Sequence, residues 1–311
     1  MEFIRGLHNL RARHRGCVAT IGNFDGVHLG HAAVIRQTQA RAAALGVPDT
    51  VVLFEPQPQE FFKPQSPLPR LTRLYEKLVA MQALGVSRVV CLTFDDDFAA
   101  LSAEGFVERV LHRGLGSKGL VVGDDFRFGA GRRGDFAMLQ NAGARMGFGV
   151  EPMATVSHRG GRVSSTRIRA CLAADDMVGA AALLGRPYAM SGRVVHGDKL
   201  GRALGMPTLN LPLRRRASPL QGIFAVEVRG LGPHARAGVA SIGRRPTVNG
   251  TDMRLEVHVF DFTGDIYGKR VWVEFKHKLR DELKFDTLAE LRVQMQRDAE
   301  AARAWLKASG T

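Results

Sequence analysis

Thr20-Ile21-Gly22-Asn23-Phe24-Asp25-Gly26-Val27-His28-Leu29-Gly30-His31 decides how the first half of this chain is read. An apolar run, Val18 to Ile21, enters the stretch, and an Ala-rich segment with helical character, Ala32 to Leu45, leaves it. Strand, glycine-rich turn and helix in that order deliver a phosphate to a helix N-terminus, where unpaired backbone N–H groups and the helix dipole favour negative charge. His28 and His31 are three residues apart, so both can face one way at the helix start. Gly30 leaves room for a ligand to lie against the backbone. One histidine alone would read as a surface or satisfied core residue. Two histidines and three glycines at one strand-to-helix turn are harder to dismiss.

Outward from that turn the pattern repeats. Val51–Phe54, Val89–Leu92, Leu120–Val122 and Phe148–Pro152 are short apolar runs that read as buried strands. Leu71–Leu84, Ser102–Leu111 and Phe136–Met146 have helical spacing, with Ser102 as an N-cap and Gly85 as a C-cap. Strands alternating with helices predict a parallel sheet covered on both faces, with ligands at the strands' C-terminal ends. Residues 1–17 read as a basic lead-in, and the Pro-rich segment from Glu55-Pro56-Gln57-Pro58 to Pro69 as an ordered loop. Gly129-Ala-Gly131-Arg-Arg-Gly134 has the GxGxxG form, but it does not directly follow a strand, and Glu151 lies beyond the next one. It is read as a flexible loop, and a nicotinamide-type site is rejected. In Val163-Ser164-Ser165-Thr166-Arg167-Ile168-Arg169 the hydroxyls can simply cap a helix. With helix amides and a cation they can equally hold a polyphosphate.

The character changes after the Ala-rich helix Asp176–Leu184 and its terminator Gly185-Arg186-Pro187. Met190–Val195, Ile223–Val228, Ala237–Ile242, Arg254–Phe260 and Arg270–Phe275 alternate as strands, predicting a small antiparallel β-barrel followed by an amphipathic helix, Leu288–Leu306. Gly192, Gly197, Gly201 and Gly205 punctuate the segment leading to Met206-Pro207-Thr208-Leu209-Asn210. Such a segment is either a flexible hairpin or a backbone cradle for phosphates. Thr208 and Asn210, two apart on a strand, point the same way, and their oxygens suit Mg²⁺ beside phosphate. Alternation places Glu256, His258 and Phe260 on one strand face and Leu255, Val257 and Val259 on the other, which by itself makes Glu256 an exposed carboxylate.

The chain has 311 residues, 45% of them hydrophobic, enough for two folded domains. No window holds the roughly 18–20 apolar residues of a membrane span, and the N-terminus lacks signal-peptide features. Cys17, Cys91 and Cys171 have no metal or disulfide spacing, which suggests a reducing, cytoplasmic compartment; Cys17 and Cys91 read as packing residues. The net charge of +14 suits either nucleic acid or polyanionic small substrates such as ATP. Arg214-Arg215-Arg216 reads as a solvated loop.

The first stretch resembles the HxGH signature of the nucleotidylyltransferase superfamily. In its longer form, Gly-Asn-Phe-Asp-Gly-Val-His-x-Gly-His, it is similar to the bacterial bifunctional riboflavin kinase/FMN adenylyltransferases. Ser-Ser-Thr-x-Ile-Arg resembles that superfamily's second phosphate motif, and Gly192–Asn210 resembles the riboflavin kinase nucleotide loop with its Pro-Thr-Ala-Asn motif, with Leu209 in place of Ala. The resemblance spans about residues 15–305. It implies an N-terminal Rossmann-like α/β domain (1–185) that adenylylates FMN, and a C-terminal barrel of the six-stranded type (186–311) that phosphorylates riboflavin.

At the adenylylation site the resemblance implies His28, His31 and Arg169 in catalysis. Gly22, Asn23, Phe24, Gly30, Ser165 and Thr166 would face ATP, and Asp125, Phe126 and Arg127 the flavin. Asp25 would orient a histidine or the metal, or simply form the turn. In the kinase it implies Glu256 as general base and Gly197, Lys199, Gly201 and Gly205 around phosphate. Arg280, Glu282 and the Gly243–Asn249 segment would lie near the flavin, and Thr208 and Asn210 would hold Mg²⁺. The implied partners are riboflavin, FMN, FAD and ATP, with flavoenzymes as clients, no nucleic acid or membrane, and a monomer or weak homo-oligomer. Two rivals remain at this stage. A nucleotidylyltransferase for another phosphate leaves the second domain idle. A basic RNA-binding protein with a degenerate enzyme domain leaves the motif residues unexplained.

Overall fold

The computed structural model describes residues 1–197, 201, 204–247 and 250–310, the side chains of 244–247 and 250–252 aside. It divides into two compact units, Met1–Leu68 with Thr72–Ser165, and Pro69–Leu71 with Thr166–Thr311.

The first unit is built on β1 (Glu2–Arg5), β2 (Val18–Ile21), α1 (Leu29–Ala44), β3 (Asp49–Glu55), α2 (Pro58–Phe62), α3 (Leu74–Ala83), β4 (Arg88–Thr93), α4 (Asp96–Ala99), α5 (Ala103–Phe106), β5 (Gly119–Gly123), α6 (Phe136–Met146) and β6 (Gly149–Met153). The six strands pair in the order β1-β4-β3-β2-β5-β6, all parallel. Val18–Ile21 is buried along its whole length, as a central strand covered on both faces must be. One core lies on each side of the sheet. Ile35, Leu53, Met81 and Val89 pack on one, and Val52, Val90, Phe106, Leu111 and Leu139 on the other.

Several expectations are corrected here. The lead-in contains β1, which pairs with β4 from Glu2↔Arg88 to Arg5↔Cys91. The Pro-rich loop contains α2, with Pro58 in its first turn, where its missing N–H costs nothing. The first helix starts three residues earlier than the Ala-rich run, at Leu29, because His28 caps it. The GxGxxG segment is a pinned turn rather than a flexible loop: Phe128 and Gly134 exchange both backbone hydrogen bonds, at 3.1 and 2.9 Å. Ser102 caps α5 as expected, and the helix then widens to i→i+5 pairing over Val107–Gly114.

A small hairpin, β7 (Ser157–His158) and β8 (Gly161–Arg162), precedes α7 (Ser165–Ala173) and α8 (Met177–Leu184). The second unit then forms β9 (Ala189–Arg193), β10 (Leu209–Pro212), β11 (Gly222–Arg229), β12 (Arg236–Thr247), β13 (Gly250–Val259), β14 (Arg270–Arg280) and α9 (Leu288–Ala308). These strands are antiparallel in the order β10-β13-β12-β11-β14-β9. The two edges meet where Val195 donates to the Asn210 carbonyl at 2.9 Å, so the sheet curls into a nearly closed barrel. Phe224, Val226, Leu255, Val257, Val273 and Phe275 are buried within the sheet. Helix α9 packs on the other face, against Ile223, Ala225, Val239 and Phe260.

Arg215 corrects the expected solvated triplet. Its neighbours are exposed, but Arg215 itself is 7% exposed. Its Nη1 donates to the backbone carbonyls of Arg70 and Leu71, which offsets part of the cost of burying the charge.

Candidate active sites

In the first unit the loops after β2, β3, β4 and β5 carry the chemistry-bearing side chains. His28 caps α1: its Nδ1 accepts the His31 N–H at 3.2 Å, and the His31 Nδ1 accepts the His28 N–H at 3.4 Å. The rings stack with centroids 3.6 Å apart and planes 14° from parallel. With both Nδ1 atoms accepting, the neutral rings carry their protons on Nε2. The turn thus holds two parallel ring donors at a helix N-terminus. The space at Gly30 is used by the protein itself: a Cβ there would meet the His28 ring at 3.1 Å.

The turn ahead of the histidines is held from outside. Phe24 and Val27 adopt φ of 48° and 42°, left-handed values unusual for such side chains. Between them the Asp25 carboxylate accepts the Thr72 N–H at 2.9 Å, and the Gly26 N–H donates to the Thr72 hydroxyl at 2.8 Å. Asp25 is therefore engaged as a turn-forming residue. The Ser165 hydroxyl donates to the Asp25 carbonyl at 2.7 Å, so the second motif begins against the first. Thr166 and Arg169 belong to the second unit, where Arg169 Nε donates to the Pro69 carbonyl at 2.8 Å.

Asp125 and Arg127 are each in an ion pair, Asp125 with Arg162 at 2.6 Å and Arg127 with Asp135 at 3.1 Å. The hydrogen bond from Arg162 holds the Asp125 carboxyl below the usual aspartate range. Phe126 stacks on Phe128 at 5.6 Å and opens a row of rings. The row runs through Phe106, Phe98 and Phe94 to Phe54, Phe61 and Phe62, with neighbouring centroids 5.2 to 6.1 Å apart. Phe62, at its end, is 63% exposed. Sequence reading missed this platform. Its signal was aromatic residues immediately after two buried strands.

In the second unit the register gathers the expected residues. Asn210 faces Glu256, Glu256 faces Ser241, Ser241 faces Ile223, and Ile223 faces Arg280, one row across five strands. Directly opposite residues share a face, so Asn210, Glu256 and Arg280 emerge on one side. Helix α9 and the segment 281–285 cover part of that side and leave a cavity of about 300 Å³. Thr208, Glu256, His258, Arg280, Glu282 and Met295 are among its lining residues. Glu256 is accordingly half-buried rather than exposed, and Phe260 is 4% exposed. The Arg280 guanidinium is committed to Asp298 on α9, at 2.8 and 2.6 Å, and to the Asp281 carbonyl. Partial burial raises the Glu282 carboxyl above its usual range. A Cβ on Gly197 would run into the Asn210 amide, and one on Gly201 would meet the Thr208 hydroxyl at 3.3 Å. Gly205 follows in a left-handed turn (φ 82°). Lys199, Val248 and Asn249 lie outside the described residues.

Two family profiles match this chain, FAD synthetase over residues 10–167 and riboflavin kinase over residues 184–306. Relatives called bifunctional riboflavin kinase/FMN adenylyltransferase are 51% identical over 304 residues in Escherichia coli, covering 97% of both chains, and 52% identical over 305 residues in Pseudomonas fluorescens, covering 98% of this chain and 97% of that one. This chain belongs to the bifunctional riboflavin kinase/FMN adenylyltransferase family. A Streptococcus pneumoniae crystal structure described as a macrolide-efflux protein has the same fold, with a TM-score of 0.81, 31% identity, and 98% and 100% of the two chains covered. Its description names transport. Among the described residues of the present family member, no helix is long and apolar enough to cross a membrane. The family profiles meet their halves of the chain where the structure has the parallel sheet and the barrel, so the expected fold class stands.

Proposed function

We propose that the protein converts riboflavin to FMN in its barrel, with ATP as phosphoryl donor, and FMN to FAD in its parallel-sheet domain, with ATP as adenylyl donor. The functional boundary lies near 185/186. One observation carries the reading: each half matches its own enzyme family, and in each half the motif residues converge, His28 on His31 and Asn210 on Glu256.

In the kinase step the riboflavin 5′-hydroxyl attacks the γ-phosphorus of ATP, ADP leaves, and Glu256 accepts the hydroxyl proton. Gly197, Lys199, Gly201 and Gly205 follow the phosphates, and Glu282 and Arg280 border the flavin. The donor set fits Mg²⁺: two uncharged oxygens, on Thr208 and Asn210, lie beneath backbone that has no room for a Cβ, and the phosphates supply the charge. When bound there, Mg²⁺ would neutralise charge on the transferring phosphate. Among the described residues no cluster of three or more acidic, histidine or cysteine side chains forms a metal site, so the reading rests on these neutral ligands.

In the adenylylation step an FMN phosphate oxygen attacks the α-phosphorus of ATP and pyrophosphate leaves. No protein nucleophile takes part. The Nε2–H groups of His28 and His31 donate to phosphate, as do the backbone amides at the start of α1, and Gly22, Asn23, Phe24 and Gly30 shape the turn. Ser165 and Thr166 hold ATP phosphates, and Arg169, four residues on from Ser165 in α7, neutralises the departing pyrophosphate. Asp125, Phe126 and Arg127 with the aromatic row offer the flavin ring a stacking surface. We place the enzyme in the cytoplasm as a monomer or weak homo-oligomer, with flavoenzymes as clients for its product.

The test is incubation with riboflavin, ATP and Mg²⁺ followed by chromatography of the flavins. The parent yields FAD. Glu256→Gln yields no FMN but still adenylylates supplied FMN. His28→Ala/His31→Ala stops at FMN. A parent that leaves both riboflavin and FMN unchanged contradicts the proposal.

A further inference from the structure

Arg215 is buried yet lies outside both candidate sites. Its Nη1 donates to the carbonyls of Arg70, at 2.6 Å, and Leu71, at 3.3 Å. The Tyr188 hydroxyl donates to the same Leu71 carbonyl at 3.1 Å. All four residues belong to the second unit, and Leu71 is completely buried there. The next residue, Thr72, belongs to the first unit and is itself 5% exposed. Thr72 engages the histidine-bearing turn three times: its N–H and its hydroxyl donate to Asp25 Oδ1 at 2.9 and 3.3 Å, and its hydroxyl accepts from Gly26.

We infer that Arg215, carried by the riboflavin kinase half, is a positioning residue for FMN adenylylation, acting through Leu71–Thr72 on the turn that presents His28. This rests on the function proposed above. Left-handed conformations at Phe24 and Val27 persist only where surrounding structure over-determines them. Thr72 supplies that constraint directly. A threonine on an unrestrained loop would hold the turn poorly, because the loop would take its own conformations. Arg215 fixes the peptide groups just before Thr72, so the hydroxyl and N–H stand ready on a fixed backbone. The chemistry requires this order, since a misplacement of about 1 Å costs catalysis by positioning on the order of 100-fold. Arginine suits this role because its long side chain brings one terminal nitrogen, Nη1, to two adjacent carbonyls and stays charged at any working pH.

The test measures the two reactions separately, on the full chain, with Arg215→Met, Arg215→Lys, Thr72→Val and Thr72→Ser. Arg215→Met lowers kcat for adenylylation of supplied FMN about tenfold or more, with KM for ATP and FMN within about threefold and riboflavin phosphorylation within about twofold. Arg215→Lys recovers part of the lost kcat, because one carbonyl regains a donor. Thr72→Val reproduces the defect and Thr72→Ser largely does not. The double variant Arg215→Met/Thr72→Val is no worse than the poorer single variant, as residues acting through one path are non-additive. Amide exchange at Gly26 and Thr72 accelerates in Arg215→Met while exchange in β11 does not. Unchanged adenylylation in Arg215→Met overturns the inference. So do equal fractional losses of both activities, or additive effects in the double variant. If Arg215→Met fails to fold, Arg215→Lys and the Thr72 pair decide by the same kcat ratios. A parent that phosphorylates riboflavin but does not adenylylate FMN overturns the proposed function instead.

Discussion

Asn210 and Glu256 are register partners on neighbouring antiparallel strands, and Thr208 stands two residues before Asn210 on the way into the same strand. The base proposed for riboflavin and one ligand proposed for the nucleotide's metal, Asn210, are thus set by adjacent backbone ladders, with Thr208 directly ahead of the strand. Sites built on strands hold their geometry more tightly than sites on loops. Gly197 lies against Asn210, and Gly201 against Thr208.

The contact at Gly197 has no spare room. Gly197→Ala puts a Cβ into the Asn210 amide. Steady-state kinetics of riboflavin phosphorylation will show KM for ATP raised roughly tenfold, about 1.4 kcal/mol of lost binding, while adenylylation of supplied FMN is unchanged.

The two histidines do two jobs that can be separated. Asparagine is a good N-cap, so His28→Asn keeps the start of α1 and changes stability by no more than about 0.5 kcal/mol. It lacks the ring donor, and FMN adenylylation falls roughly 100-fold or more. Thermal melting alongside an FMN-to-FAD assay checks both halves of this expectation.

Asp298 is buried and holds Arg280 by two hydrogen bonds, with Gln294 donating to the same carboxylate at 2.9 Å. Asp298→Asn leaves a largely buried guanidinium without its anion. Urea unfolding will show a loss of about 3 kcal/mol, and KM for riboflavin will rise because α9 forms a wall of the cavity. The FMN adenylylation rate of the folded protein is untouched.

The Asp125–Arg162 pair gives a signed pH dependence. Arg162 lowers the Asp125 pKa in the folded protein. The unfolded chain therefore takes up this proton at a higher pH than the folded chain does. The stabilisation is fully present above the unfolded pKa and disappears as pH falls through the folded one. Arg162→Met returns the carboxyl towards its ordinary value. A carboxyl-carbon NMR titration of Asp125 in both proteins reads the shift, and an unmoved titration in Arg162→Met would count against the ion pair.

Much of the architecture is legible in the sequence because the local signals agree. Val18–Ile21 is an apolar run and is β2, and Phe136–Met146 runs from a capping aspartate to a left-handed glycine and is α6. Strand β1 escaped because Glu2-Phe3-Ile4-Arg5 is a four-residue edge strand with charged ends, too short and too polar for a periodic signal. Alternation gave Glu256 its correct face but the wrong environment. What turns that face into a cavity wall is α9, more than thirty residues later in the chain. Arg215 looked like part of a solvated charge run because its partners, the carbonyls of Arg70 and Leu71, lie 145 and 144 residues away. The aromatic row escaped for the same reason: its rings come from five separate segments, and only folding brings them within stacking distance.

The central claim is that one chain carries both reactions in series. The most direct measurement follows phosphate products and flavins together, from riboflavin and ATP with Mg²⁺ in one vessel. The account predicts that each FAD formed is matched by one ADP from the barrel and one pyrophosphate from the parallel-sheet domain, with FMN appearing first. FAD absent, or ADP and pyrophosphate released without any change in the flavin, would contradict it.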